Sequence, residues 1–202
     1  RQAGELGIPF TTGILIGIGE TPAERLQALE AIAQAAEDFG HVQEVILQPH
    51  SLGSSQKLRP SSNQRDVLFG AEAIAALPGL VRAARDMLPS SVEIQVPPNL
   101  LLDSWEVLLS CLEAGARDLG GISPKDEVNP DFGFPLISVL SGALAKEGYS
   151  LQPRLPVYPQ HFGWLPTRVQ HVLQQRLERP ELGRHGTGLE TNPSLGSAHL
   201  KA

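Results

Sequence analysis

The sequence predicts an α/β fold of parallel strands joined by crossover helices, and three observations carry that expectation. Short apolar runs without strict alternation, such as Phe10–Ile16, have the pattern of strands buried on both faces. Each run ends in a polar or Gly/Pro turn and is followed by apolar residues at helical spacing. The resulting order is β-α-β-α-β-α-β-α, and strands joined by crossover helices must be parallel. Four such strands are too few to close a barrel, which takes eight strands and about 250 residues. An open doubly wound sheet and part of a (β/α) barrel both satisfy the order.

Residues 1–7 read as the last turn of a helix, with Gly7 as a left-handed cap. Residues 8–16 form the first strand. Thr21-Pro22-Ala23-Glu24 fits a capping box with proline at the first helical position. Leu26, Leu29, Ile32, Ala33, Ala36 and Phe39 then hold one helical face, and Gly40 ends it. Residues 42–48 are the second strand, and the Ser/Gly/Pro stretch 49–63 is a long loop. Residues 66–77 and 80–88 are helical, interrupted by Pro78-Gly79. Residues 92–96 are a third strand, stopped by Pro97-Pro98. Asp103-Ser104-Trp105-Glu106 reads as a second capping box, for a helix that stops at Gly115. Residues 117–122 are a fourth strand, followed by a loop and a helix at 136–147. Residues 151–158 are extended, 167–178 are helical, and 179–202 read as a disordered tail, poor in large apolar residues.

The chain has 202 residues, a hydrophobic share of 41% and a net charge of -6. That length holds one domain, or one domain and a tail. The negative charge argues against a nucleic-acid surface. No run of about 18 apolar residues occurs, so no membrane span is expected, and no secretory signal is visible. Cys111 is the single cysteine, which excludes an internal disulfide and any cysteine-built metal site from this chain alone and makes the cytoplasm the default compartment. The chain opens with Arg1 and has Met87 as its one methionine, so upstream sequence is expected to be missing.

In either parallel architecture ligands collect at the carboxyl ends of the strands. Gly13, Gly17 and Gly19 remove side chains where a ligand could approach, or simply allow a tight strand-to-helix turn. Glu20 could accept hydrogen bonds from a ligand, or favour the helix start through its dipole. Gln48 and Asn99 are amides at strand ends that need partners if buried. Asp118, Asp126 and Asn129 surround the fourth strand end and could hold a polyol or a uracil-like ring, or act as ordinary turn residues. His50 lies past a strand end and His41 at the opposite end; neither has the spacing of a histidine metal site. Cys111, among Leu108, Leu109 and Leu112, reads as a core residue.

Gly13-x-Leu15-x-Gly17-x-x-Glu20 resembles the Gly-x-Ile-x-Gly-x-x-Glu motif on the fifth strand of radical S-adenosylmethionine (SAM) enzymes. Within that superfamily, the run Ile8 to Thr21, then Gln43-Glu44-Val45-Ile46-Leu47-Gln48, resembles the FO synthase subunit 1 family. So do Gln95-Val96-Pro97-Pro98-Asn99-Leu100, Arg117-Asp118-Leu119-Gly120-Gly121-Ile122-Ser123-Pro124, Glu127-Val128-Asn129-Pro130 and Arg154-Leu155-Pro156-Val157-Tyr158-Pro159. The resemblance covers residues 1–178, and implies the C-terminal half of a TIM-type radical SAM barrel, with 179–202 as tail.

It further implies a lyase that uses SAM and a 4Fe-4S cluster to make 7,8-didemethyl-8-hydroxy-5-deazariboflavin (FO), the chromophore of a deazaflavin coenzyme. A 5'-deoxyadenosyl radical would take hydrogen from a hydroxybenzyl adduct of 5-amino-6-ribitylaminouracil, and ring closure with loss of ammonia would give FO. FO synthase subunit 2, or a fused equivalent, would make that small-molecule substrate, and an electron donor would be needed. Gly13, Gly17, Glu20 and Gln48 are then expected on the cofactor, Asn99 and Asn129 on substrate, and Asp118 and Asp126 in catalysis. The family's Cys-x-x-x-Cys-x-x-Cys cluster loop is absent here, so no metal ligand is assigned and the chain alone is expected to be inactive. A cluster-free barrel aldolase or isomerase, and a non-catalytic binding remnant, are the alternatives.

Overall fold

The structure, a computed structural model, describes residues 1–50, 64–122, 131–178 and 187–191. The elements are α1 (Gln2–Glu5), β1 (Phe10–Ile16), α2 (Pro22–Phe39), β2 (Val42–Pro49), α3 (Gln64–Met87), β3 (Glu93–Gln95), α4 (Trp105–Ala114), β4 (Asp118–Gly120), α5 (Ile137–Lys146), β5 (Tyr149–Pro153), α6 (Thr167–Glu178) and β6 (Thr187–Thr191). Two 3-10 turns lie at Pro98–Leu100 and Pro159–Trp164.

Strands β1 to β4 are parallel and adjacent in chain order, within a six-stranded sheet ordered β1-β2-β3-β4-β6-β5. A sequential order has no reversal. Right-handed crossovers therefore put the helices on one face, whereas a doubly wound sheet reverses and covers both. The order is consistent with part of a (β/α) fold, and the sheet stays open among the described residues. Inward from the helices lie Ile16, Val45, Leu47, Ile94 and Leu119, each at most 1% exposed. They pack with Leu29 and Ala36 of α2, Leu77 and Val81 of α3, and Leu108, Cys111 and Leu112 of α4. This fully apolar layer is the core.

Local chemistry sets the boundaries. Thr21 caps α2: its hydroxyl accepts from the Glu24 N–H at 3.3 Å, while the Glu24 carboxylate accepts from the Thr21 N–H at 2.7 Å. Gly40 closes α2 with φ of 63°. The predicted break at Pro78-Gly79 is absent, and α3 runs through Pro78 as one helix. Pro78 removes one helical hydrogen bond, but Leu77, Val81 and Ala84 on both sides are buried, and their packing holds the helix together. The second predicted capping box is also absent: Ser104 sits at the cap position of α4 without a side-chain hydrogen bond. Strand β4 is shorter than 117–122 because Gly120 turns to φ of 75°.

Part of the predicted tail is ordered into the sheet. Residues 187–191 form β6, antiparallel to both β4 and β5, which it joins. This corrects the reading of 179–202 as wholly disordered; the other tail residues lie outside the described residues. The sheet is therefore mixed, with its parallel part confined to β1–β4. Strand β5 occupies 149–153 rather than 151–158, and from Arg154 the chain turns back as a strap, residues 154–164.

Candidate functional site

The strand face away from the helices is polar, and register explains which residues reach it. Residues on neighbouring parallel strands that pair in register share a face. Thr11, Glu44 and Glu93 form one row; Gly13, Ile46, Gln95 and Asp118 form the next; Leu15 and Gln48 form a third, nearer the carboxyl ends. The register slips between Phe10 and Thr11, which leaves Gln43 without a β1 partner and frees its amide for other bonds.

The strap plants Arg154 and Tyr158 on this face. Arg154 Nη2 donates to Glu44 Oε1 at 2.7 Å and its Nε donates to Asp118 Oδ2. The Tyr158 hydroxyl donates to Asp118 Oδ2 at 2.7 Å and lies 3.4 Å from Glu44 Oε1. Thr11 donates to Glu44 Oε2 at 3.2 Å, and the Gly120 N–H donates to Asp118 Oδ1 at 2.6 Å. Gln43 donates to the Pro156 carbonyl and accepts from the Tyr158 N–H, both at 3.1 Å, which ties down the strap backbone. The guanidinium also stacks 4.5 Å from the Tyr158 ring centroid.

Two buried carboxyl groups thus share one guanidinium. Burial, and then the charge of Asp118, push the Glu44 carboxyl up to about 7 against the pull of Arg154 and Thr11. Burial also pushes the Tyr158 hydroxyl up, followed by Asp118 and Glu44, so it stays a donor. Burial alone would favour a neutral Arg154, but Asp118 and Glu44 hold it charged.

At the carboxyl end of β1 the glycine turn has its own anchor. The Glu20 carboxylate accepts from the Gly17 N–H at 2.7 Å, the Ile18 N–H at 2.8 Å and Arg25 Nε at 2.7 Å. Burial raises its pKa, but these donors outweigh burial and draw it down to about 2. Gly17 and Gly19 adopt φ of 88° and 114°, in the left-handed region that favours glycine. A Cβ on Gly19 would meet nothing within 4 Å, so this turn is open on its outer side. Leu15 and Ile18 stand 41% and 61% exposed beside it. Glu20 is therefore occupied with shaping the turn, and the surface offered to a ligand is apolar with a glycine edge.

Gly13 has a local explanation. A Cβ there would lie 2.4 Å from the Ile46 carbonyl oxygen, so glycine lets β1 close onto β2. Gln48 is half-buried on the third row, on the same face as Gly13 and Leu15. Asn99 is buried in the 3-10 turn after β3 and donates to the Phe132 carbonyl at 3.1 Å. Asp118 opens β4 rather than closing it, and both its oxygens are engaged in the Arg154 cluster. Asp118 shares its row with Gln95, Ile46 and Gly13, while the glycine turn follows the end of β1. Asp126 and Asn129 lie outside the described residues.

Sequence reasoning did not single out Glu44, Arg154 and Tyr158 as a cluster. A charged residue inside the apolar strand Val42–Pro49 was the available signal, since a buried charge needs a partner. Its partner lies 110 residues away, where no local pattern reports it. Cys111 is fully buried and burial pushes its thiol up to about 12, which makes it a core side chain and not a metal ligand. Among the described residues no cluster of His, Cys, Asp and Glu could hold a metal ion. No described helix is long and apolar enough to cross a membrane. A pocket of about 160 Å³ against Arg154, Val157, Tyr158 and Phe162 is smaller than the roughly 300–1,000 Å³ of small-molecule sites.

No protein-family model matches the chain. No solved structure matches it either. Curated proteins do. The chain is 54% identical over 173 residues to the 7,8-didemethyl-8-hydroxy-5-deazariboflavin synthase of Synechococcus elongatus, covering 85% of this chain and 48% of that protein. It is 50% identical over 173 residues to the synthase of that name from Synechocystis sp., covering 86% and 52%. With that of Gloeobacter violaceus it shares 50% over 185 residues, covering 91% and 50%. The chain spans about half the length of these relatives, and what it matches, over 85% to 91% of its own length, is a portion of FO synthase.

Proposed function

We propose that this chain is the SAM- and substrate-facing carboxyl-terminal portion of an FO synthase, a radical SAM lyase. The similarity at 50–54% identity to half of proteins bearing that name is the observation that carries the reading. Sequential winding of β1–β4 with helices on one face supports it, because that is the winding of a (β/α) barrel.

The residues present suit SAM. Leu15 and Ile18 offer an apolar surface for an adenine ring beside the Gly17 turn, and Glu20 holds that turn still through Gly17, Ile18 and Arg25. Gly13 and Gln48 flank the same end of the face. SAM, when bound, supplies the 5'-deoxyadenosyl group that takes hydrogen from the substrate. The residues present do not suit an iron-sulfur cluster, since the one cysteine is the buried Cys111. A cluster must come from polypeptide other than this chain, and the chain alone is inactive. Asn99 and Asn129 are assigned to the substrate, and Asp126 to proton movement. Asp118 acts from beneath, as a group that fixes the floor of the face. FO synthase subunit 2 or a fused equivalent supplies the adduct, an electron donor completes the system, and the cytoplasm is its compartment.

Anaerobic reconstitution with iron and sulfide tests the reading, paired with titration of S-adenosylhomocysteine. The chain is expected to show no iron-sulfur absorbance yet to bind the SAM analogue. Stoichiometric cluster binding by the 202-residue chain would contradict the assignment of ligands elsewhere. Absence of analogue binding by the folded chain would remove the cofactor surface.

A further inference from the structure

The upper two rows of the polar face hold two carboxamides that make no side-chain hydrogen bond among the described residues. Gln95 on β3 and Gln48 on β2 are both half-buried. Neither side chain makes a hydrogen bond within the described structure, whereas Gln43 one row below is bonded at both ends of its amide. Half-buried amides of this kind keep donors and acceptors available to a ligand.

The position of the Gln95 carboxamide is built. It lies over Gly120, where a Cβ would come within 2.3 Å of Gln95 Nε2 and 2.8 Å of its Cδ. Gly120 also holds φ of 75°, so both its backbone and the neighbouring amide call for glycine there. The amide thereby leans from its own row, beside Asp118, toward the carboxyl end of the sheet. Between Gln95 and the β1 edge lie Ile46, Gly13 and Leu15, a low apolar floor with one missing side chain.

The charge on this face selects the class of ligand. Glu44, Glu93 and Asp118 are carboxyl groups, and among the described residues the guanidinium on this face, Arg154, is already held by two of them. Among the described residues an anionic ligand would find no free cation on this face. A neutral ligand with a flat apolar body and an alternating donor–acceptor edge would fit both the floor and the amides. A carboxamide pairs with such an edge in a bidentate way, its NH2 donating to a ring carbonyl and its oxygen accepting from the adjacent ring N–H.

We propose that Gln95, with Gln48 beside it, binds the imide edge of a uracil-type ring laid across Ile46 and the gap over Gly13, with Leu15 left to the adenine, and that Gly120 is the cradle that sets the Gln95 amide. This assignment of residues rests on the proposed FO synthase reading for placing a pyrimidine at this face, while the amides, floor and charge are independent of it.

Titration of the 202-residue chain with 6-(methylamino)uracil, followed by the side-chain amide signals of glutamine in NMR, tests the proposal. The signals of Gln95 and Gln48 are expected to move, the 3-methyl derivative that lacks the ring N–H is expected to bind more weakly, and D-ribitol is expected to leave both signals in place. Gln95→Leu and the isosteric Gln95→Glu should each weaken binding roughly 3- to 10-fold, the effect of one or two hydrogen bonds. Gly120→Ala should weaken it too, by displacing the amide. Equal binding of the 3-methyl derivative, movement by ribitol alone, or unchanged affinity in Gln95→Glu would overturn the proposal. S-adenosylhomocysteine is titrated in parallel: its binding without the uracil overturns the Gln95 assignment alone. Uracil binding without it leaves the amide site standing and removes the SAM reading.

Discussion

Arg154 donates to Glu44 and Asp118 from a strap more than 100 residues beyond the first of them in sequence. Glu44 and Asp118 side chains are 5% and 1% exposed, so losing their shared cation would leave buried charge uncompensated. Arg154→Met is expected to destabilise the chain by about 3–5 kcal/mol, read from urea unfolding; a change near zero would mean the cluster is held otherwise. Glu44 gives a pH dependence of definite sign. Its folded pKa of about 7 lies above the ordinary 4.5, so the folded state binds the proton more tightly. Its contribution is present in full below about 4.5 and is lost as pH rises through about 7. The pH profile of unfolding free energy in Glu44→Gln should therefore lack that decline, and matching slopes for the two proteins between those values would contradict it. The buried histidines run the other way. Burial lowers both His41 and His161 below the ordinary 6.5, so their contribution is lost as pH falls below that value. Glu44 was legible as a charge set in an apolar strand. Arg154 was not, because nothing in its proline-rich surroundings points to a strand so distant in sequence.

At the scale of elements, the strand-to-helix unit around Gly17 was the most legible. Thr21 forms its capping box as the residue pattern requires, and the apolar run before it becomes β1. The part of that unit that was not legible is Glu20. The sequence leaves its carboxylate to a ligand or to the helix dipole, whereas it bonds the Gly17 and Ile18 N–H groups, a choice made by the turn geometry alone. Gly17→Val should reduce S-adenosylhomocysteine affinity at least tenfold in a chain of unchanged circular dichroism, since it crowds the face and strains a φ of 88°. Unchanged affinity in the folded variant would take Gly17 out of the cofactor surface. The proline inside α3 and the empty cap at Ser104 show the limits of local signals. Tertiary burial of Leu77 and Val81 overrides the first, and α4 starts at Ser104 without the second. Strand β6 was unreadable for a related reason: only its backbone pairing with β4 and β5 defines it.

At the scale of the whole molecule, the described strands form one sheet whose β1 edge is unpaired among the described residues. Strand β1 is that edge, and Phe10, Leu15, Ile18 and the nearby Ile8 are 45%, 41%, 61% and 48% exposed along it. An uncovered edge with an apolar border invites strand addition or aggregation. The proposed function supplies an occupant, the remaining half of an FO synthase with its three-cysteine loop. The parallel pairing was legible from the β-α alternation, whereas the strand order is carried by no local pattern. FO formation in trans tests directly whether this chain is the carboxyl-terminal portion of an FO synthase. This chain is mixed with the amino-terminal half of the Synechococcus elongatus synthase, reconstituted with iron and sulfide, and given SAM, a reductant and the hydroxybenzyl adduct. FO is expected from the mixture and none from either half alone. No FO from a soluble, cluster-loaded mixture, under conditions in which the intact synthase makes it, would contradict the claim.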